Sequence, residues 1–169
     1  MIQALHFQHC IQNMRVLNME FEIPIPAQKD NPAKPDWSVC QKAWWHVIKS
    51  VYDRYNKNER DLPMRLALEM RITVGSNILL APQYNNKFGT YSIEILTPIN
   101  VDKEEWHKFM QEVVNSWANL TDSNDEFLNI RPHWAKQWQG LTIRNVHIED
   151  YLKHSAYKEV IPQFRQIMT

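Results

Sequence analysis

Glu69 and Arg71 stand two residues apart in the segment RLALEMRITV (65–74), in which Leu66, Leu68, Met70, Ile72 and Val74 alternate with them. On a β-strand, residues i and i+2 point to the same side about 7 Å apart, so the carboxylate and the guanidinium project together. Such a pair could bind a hydroxyl and stabilise negative charge developing on it. The same spacing also describes an ordinary ion pair on a wet sheet face. Segment 90–97 has the same alternation, with Ser92 and Glu94 opposite Tyr91, Ile93 and Ile95. If the two strands pair, Glu69, Arg71, Ser92 and Glu94 share one surface. Two acids beside one arginine have their pKa values pushed apart, which suits one of them to act as a base.

A second group is the run RPHWAKQW (131–138), carrying His133, Trp134 and Lys136 behind a proline that holds Arg131 extended. Its composition alone describes a packed turn anchored by Trp134, with Lys136 in solvent. A third is His6-x-x-His9-Cys10, whose helical spacing could place ligands on a metal. A structural zinc site needs four ligands, and no matching second pair is present, so no metal site is expected.

The elements that must position these groups are readable from periodicity. Between 14 and 25, Leu17, Met19, Phe21, Ile23 and Ile25 alternate with Asn18, Glu20 and Glu22, which predicts a half-buried strand with its polar side outward. Asp36 or Ser38 can cap a helix reaching about Tyr55, with Cys40, Ala43, Trp44, Val47, Ile48, Val51 and Tyr55 as its apolar stripe. The alternating apolar side of 65–74 is expected to be buried. Asp102 with Glu105 opens a second helix, whose stripe is Trp106, Phe109, Met110, Val113, Val114 and Trp117. A short strand at 127–130 and a last helix over about 148–168 complete the order β-α-β-β-α-β-α. That order predicts a single α+β domain over 1–169, an antiparallel or mixed sheet with helices packed on one face.

Composition excludes several functions. Lys and Arg total 19, as do Asp and Glu, for a formal net charge of zero, so no global field draws the chain to nucleic acid or acidic lipid. Glycine occurs only three times, against about twelve at average usage. Phosphate-cradling loops need several close together, because a Cβ would block the approach of backbone N–H groups. Seven tryptophans could stack on bases, but no basic stripe accompanies them; Trp44, Trp106 and Trp117 are expected in the core. Two cysteines are too few for a disulfide framework and suit a reducing, cytoplasmic setting. The N-terminus has no signal-peptide pattern, and no apolar run approaches the length of a membrane span.

LEMRITVGSNILLAP (68–82) followed by IRPHWAKQW (130–138) resembles the C-terminal half of the sugar-1,4-lactone oxidases, within the vanillyl-alcohol-oxidase superfamily of flavoenzymes. EMRIT and GTYSIEILT also look like the substrate domain of the covalent-flavin cholesterol oxidases of that superfamily. The resemblance spans about 14–168. It implies a substrate-binding cap over FAD held mainly by a separate FAD-binding domain, in an oxidase that passes a hydride from an alcohol, lactone or sterol carbinol to flavin and returns H₂O₂ from O₂. Carried over, Glu69, Arg71 and Lys136 would be the catalytic residues, and Ser92, Glu94, His133 and Trp134 would shape the substrate pocket. An acidic Glu94 departs from the neutral residue that a sugar oxidase leads one to expect. The alternative is a non-catalytic binding module that keeps the cap fold without flavin chemistry.

Overall fold

The computed structural model describes residues 15–168; His6, His9 and Cys10 lie outside the described residues. Four strands form an antiparallel sheet in the order β2-β3-β1-β4: β1 (Val16–Pro24), β2 (Leu68–Thr73), β3 (Thr90–Pro98) and β4 (Arg131–Pro132). Two helices cover one face, α1 (Trp37–Lys57) and α2 (Lys103–Ala118). The fold is α+β. Asp36 caps α1 by accepting from the Ser38 N–H at 2.9 Å, and Asp102 caps α2 through the Glu105 N–H at 2.9 Å, each satisfying a donor the helix leaves open.

The core lies between the helices and the apolar side of β1 and β3. Met19, Phe21, Ile23, Ile93 and Ile95 are fully buried there with Trp106 and Trp117. The Phe21 ring meets that of Trp117 at 5.9 Å. Trp117 Nε1 donates to the Ala43 carbonyl at 3.0 Å, locking α2 to α1. Trp44 is half-buried against the core.

Several expectations are corrected. Tyr55 is exposed; Arg54 packs inward instead, over the Phe109 ring and bonded to Glu112 and Asp61. The strand expected at 127–130 falls at β4, because the Leu128 N–H bonds back to Leu120 at the end of α2. The last helix is broken into α3 (Ile148–Tyr151), a π-helical turn (Leu152–Ala156) and α4 (Val160–Met168). The Tyr157 N–H reaches five residues back to Leu152, and Pro162 sits in the first turn of α4, where its missing N–H is tolerated. Two short strands, β5 (Thr142–Ile143) and β6 (Val146–His147), pair as a hairpin before α3.

The larger corrections concern the sheet. The apolar side of β2 is open: Met70 is 49 % exposed, Ile72 54 % and Val74 beyond it 85 %. β2 is an edge strand of the sheet. Trp37, Trp44 and Trp45 instead border a groove of about 300 Å³ beside Met70 and Ile72. The polar side of β1 and β3, expected in solvent, is buried: Glu20 is 1 % exposed, Glu22 2 %, Ser92 3 % and Glu94 4 %. The connection between β2 and β3 and the chain after β4 fold over it. Two of the three glycines make that connection possible. A Cβ on Gly75 would stand 2.2 Å from the Asn86 carbonyl oxygen, and one on Gly89, at φ +93°, 2.5 Å from that of Thr73.

Candidate functional site

Strand register assembles the buried polar face. Glu69, Glu94 and Glu20 lie directly across from one another on β2, β3 and β1, and the next line is Arg71, Ser92, Glu22 and Arg131. Like charges directly opposite destabilise a sheet, so this row requires cations. Arg71 answers all three glutamates: Nη1 reaches Glu20 at 2.9 Å, and Nη2 reaches Glu94 at 2.6 Å and Glu69 at 3.3 Å. Lys136 comes from the far side, with Nζ 2.5 Å from Glu94 and 3.9 Å from Glu20. Asn18 donates to Glu94 at 2.9 Å.

The environments separate the acids. Burial pushes Glu94 up, but the hydrogen bonds from Lys136 and Arg71 outweigh it and leave the carboxyl below its ordinary value. The hydrogen bond to Glu94 is the main influence raising Arg71. Glu22 goes the other way: burial first, then the charge of Glu20, push it up to about 7, against the weaker opposing effects of Ser92, Gln83 and Arg71. Although the Gln83 amide lies beside this carboxyl, Glu22 Oε2 makes no hydrogen bond of normal geometry among the described residues, nor does Glu20 Oε2. Ser92 Oγ bridges the pair, in short contact with Glu20 Oε1 and 3.3 Å from Glu22 Oε1.

The structure therefore brings Glu69, Arg71, Ser92, Glu94 and Lys136 together, correcting the placement of Lys136 in solvent that composition suggested. His133 and Trp134 hold the turn rather than meeting the carboxylates. The His133 N–H donates to the Glu20 carbonyl and its ring accepts from the Ala135 N–H. Trp134 stacks on Tyr157 at 5.5 Å and donates to the Leu80 carbonyl at 2.8 Å. Glu20 and Glu22, which periodicity placed on a wet face, are members of the cluster. Arg131 is buried beneath the Tyr157 ring and donates to the carbonyls of Pro82, Tyr84 and Ala156, and burial lowers its pKa. It fastens the β2–β3 connection over the site.

The cluster has an open rim and a closed floor. The Glu69 and Arg71 side chains are half-exposed at the sheet edge and Lys136 is about one-fifth exposed, while the carboxyls of Glu20 and Glu94 are sealed. Such an arrangement can hold a hydroxyl-bearing molecule against fixed charge and exchange a proton with it. The Cys40 thiol is buried and pushed up to about 11 by burial, which makes it a poor nucleophile.

Comparison with known proteins found no match to this chain among family models, curated proteins or solved structures. Among the described residues, no helix is long and apolar enough to cross a membrane.

Proposed function

We propose that the chain is the substrate-binding cap of an FAD-dependent oxidase acting on a carbinol of an alcohol, lactone or sterol. The observation that carries this reading is the half-exposed Glu69–Arg71 rim joined to the buried Glu94–Lys136 pair. The residues suit a shared site rather than a complete one. Gly75 and Gly89 are committed to close approaches inside the β2–β3 connection, so the FAD pyrophosphate would have to be held by a separate FAD-binding domain. This chain would offer that domain the Glu69–Arg71 rim, beside the exposed apolar surface of Met70, Ile72 and Trp45. An apolar area of that kind is characteristic of a face that works against a partner.

FAD, when bound, supplies the hydride acceptor. The chain's own residues orient and charge the substrate. Glu69 accepts the substrate hydroxyl as a hydrogen-bond donor and can take its proton. Arg71 and Lys136 stabilise the negative charge left on that oxygen, and Glu94 holds both cations in place. Ser92, buried beneath the rim, would shape the substrate site from below.

The experiment joins this chain to the FAD-binding domain of a sugar-1,4-lactone oxidase. It then follows anaerobic flavin reduction and H₂O₂ release with alcohols, lactones and sterols. Reduction that is lost in Arg71→Met supports the reading; reduction at an unchanged rate overturns the role of Arg71. Glu94 also favours a second reading, a non-catalytic binding module, because both its oxygens are engaged by Asn18, Lys136 and Arg71. That reading expects ligand binding to the chain alone and no flavin reduction by any of the three substrate classes.

A further inference from the structure

One buried acid has no part in that chemistry. Glu22 lies beneath the rim, sharing Ser92 with Glu20. A serine hydroxyl has one proton to donate and two lone pairs with which to accept. Glu20 Oε1 accepts from the Arg71 guanidinium at 2.9 Å, and Ser92 donates its proton to the same oxygen. The contact between Ser92 Oγ and Glu22 Oε1 would then set acceptor against acceptor unless Glu22 carries a proton. With Glu22 protonated, each donor finds an acceptor, from the Glu22 O–H through the Ser92 O–H to the Glu20 carboxylate and Arg71.

Charge leads to the same assignment. Among the described residues, the groups around Glu22 are Glu20 on its own strand, Arg71 on β2, Ser92 on β3, Gln83 in the connection and Tyr157 after the π-helical turn. Arg71 is the cation among them, and it is bonded to Glu20, Glu69 and Glu94. Arg131, the cross-strand neighbour of Glu22, turns its guanidinium to the carbonyls of Pro82, Tyr84 and Ala156. Arg71 and Lys136 balance Glu20 and Glu94, and a third buried carboxylate would have no counter-ion among the described residues, a state proteins avoid by protonation.

We propose that Glu22, Ser92 and Glu20 form a proton-sharing chain behind the site, in which Glu22 stores a proton and delivers it through the Ser92 hydroxyl to Glu20. The Glu22 O–H bond breaks as one forms to Ser92 Oγ, and the proton Ser92 held passes to Glu20 Oε1. Negative charge moves from Glu20 to Glu22, and nothing is oxidised or reduced. Among the described residues, Glu20 Oε2 makes no hydrogen bond and stands 3.9 Å from Lys136 Nζ. Glu20 and Glu22 thereby share one proton although both carboxyls are sealed from solvent. The chain stands whether or not a flavin domain completes the site.

The test is infrared and carboxyl-carbon NMR titration of the full 169-residue protein, with no flavin present. A carboxylic-acid C=O band at neutral pH, absent from Glu22→Gln, is expected, as are Glu20 and Glu22 resonances that shift together in the wild type and separately in Ser92→Ala. Absence of the band in the folded wild type overturns the proposal. So does a band that survives Glu22→Gln, or independent titration of the two carboxyls with Ser92 in place. If Glu22→Gln does not fold, the wild-type band and the comparison with Ser92→Ala decide.

Discussion

Arg71→Met removes the side chain that, among the described residues, touches Glu69, Glu94 and Glu20 together. Breaking a buried pair by deleting one partner costs about 3–5 kcal/mol, because the other charge stays buried. Two considerations reduce that figure here: Arg71 is half-exposed, so water screens it, and Lys136 still reaches Glu94. A loss of about 2–3 kcal/mol remains, or about 5–10 °C in Tm for a domain of this size. The pH dependence identifies the cause. Glu94 lies below its ordinary value in the folded protein; its pairing stabilises the fold above the unfolded-state pKa and is lost as pH falls through the folded one. The penalty of Arg71→Met should therefore be full near about pH 7 and shrink well below about pH 4, where the carboxylates protonate. Urea denaturation of both proteins at the two pH values measures it. A penalty equal at both, or below about 0.5 kcal/mol at the higher one, refutes the account of Arg71 as the counter-ion of the glutamate row.

Three further outcomes are expected. Glu22 is raised from 4.5 to about 7 in the folded protein, so the native state keeps a proton that the unfolded chain has lost. Stability should fall by about 3 kcal/mol as pH rises across that window and level off above it, and urea melts of Glu22→Gln should lack this slope. Gly75→Ala sets a Cβ 2.2 Å from the Asn86 carbonyl oxygen; shifting backbone there should cost about 1–3 kcal/mol and speed hydrogen exchange in the β2–β3 pair. Trp134→Phe keeps the stack on Tyr157 and removes the bond to Leu80; thermal melts should show a loss of about 1 kcal/mol.

Local alternation was sufficient to place part of this site and insufficient for the rest. Glu69, Arg71, Ser92 and Glu94 came together because β2 and β3 are consecutive strands, and an antiparallel pair needs only a connection between them. Glu20 and Glu22 show the same alternation, yet nothing local says that the non-core side of β1 is sealed. Sealing comes from the β2–β3 connection, held by Arg131 to the chain near Ala156, and from the turn whose His133 and Gln137 N–H groups bond alongside β1. These contacts join segments far apart in sequence. Met70 and Ile72 show the converse: their alternation describes a strand with a covered face, but the edge position of β2 decides whether anything covers it.

A buried ion network is weak evidence for stability, which makes this one informative about function. Replacing such a network by apolar side chains of similar volume is neutral or stabilising by about 1–4 kcal/mol in proteins where it has been examined. The combined variant Glu20→Met, Arg71→Met, Glu94→Leu and Lys136→Leu removes two acids and two bases, so net charge is unchanged, and Glu22, already neutral at lower pH, is left without a charged neighbour in the glutamate row. If the network is retained for binding and proton exchange, this variant should be at least as stable as the wild type in urea and should lose ligand binding. It should also exceed Arg71→Met in stability, because no buried carboxylate of the row is left without a counter-ion. A combined variant less stable than Arg71→Met would mean that the charges hold the sheet face together, and the functional reading of the cluster would fail with it.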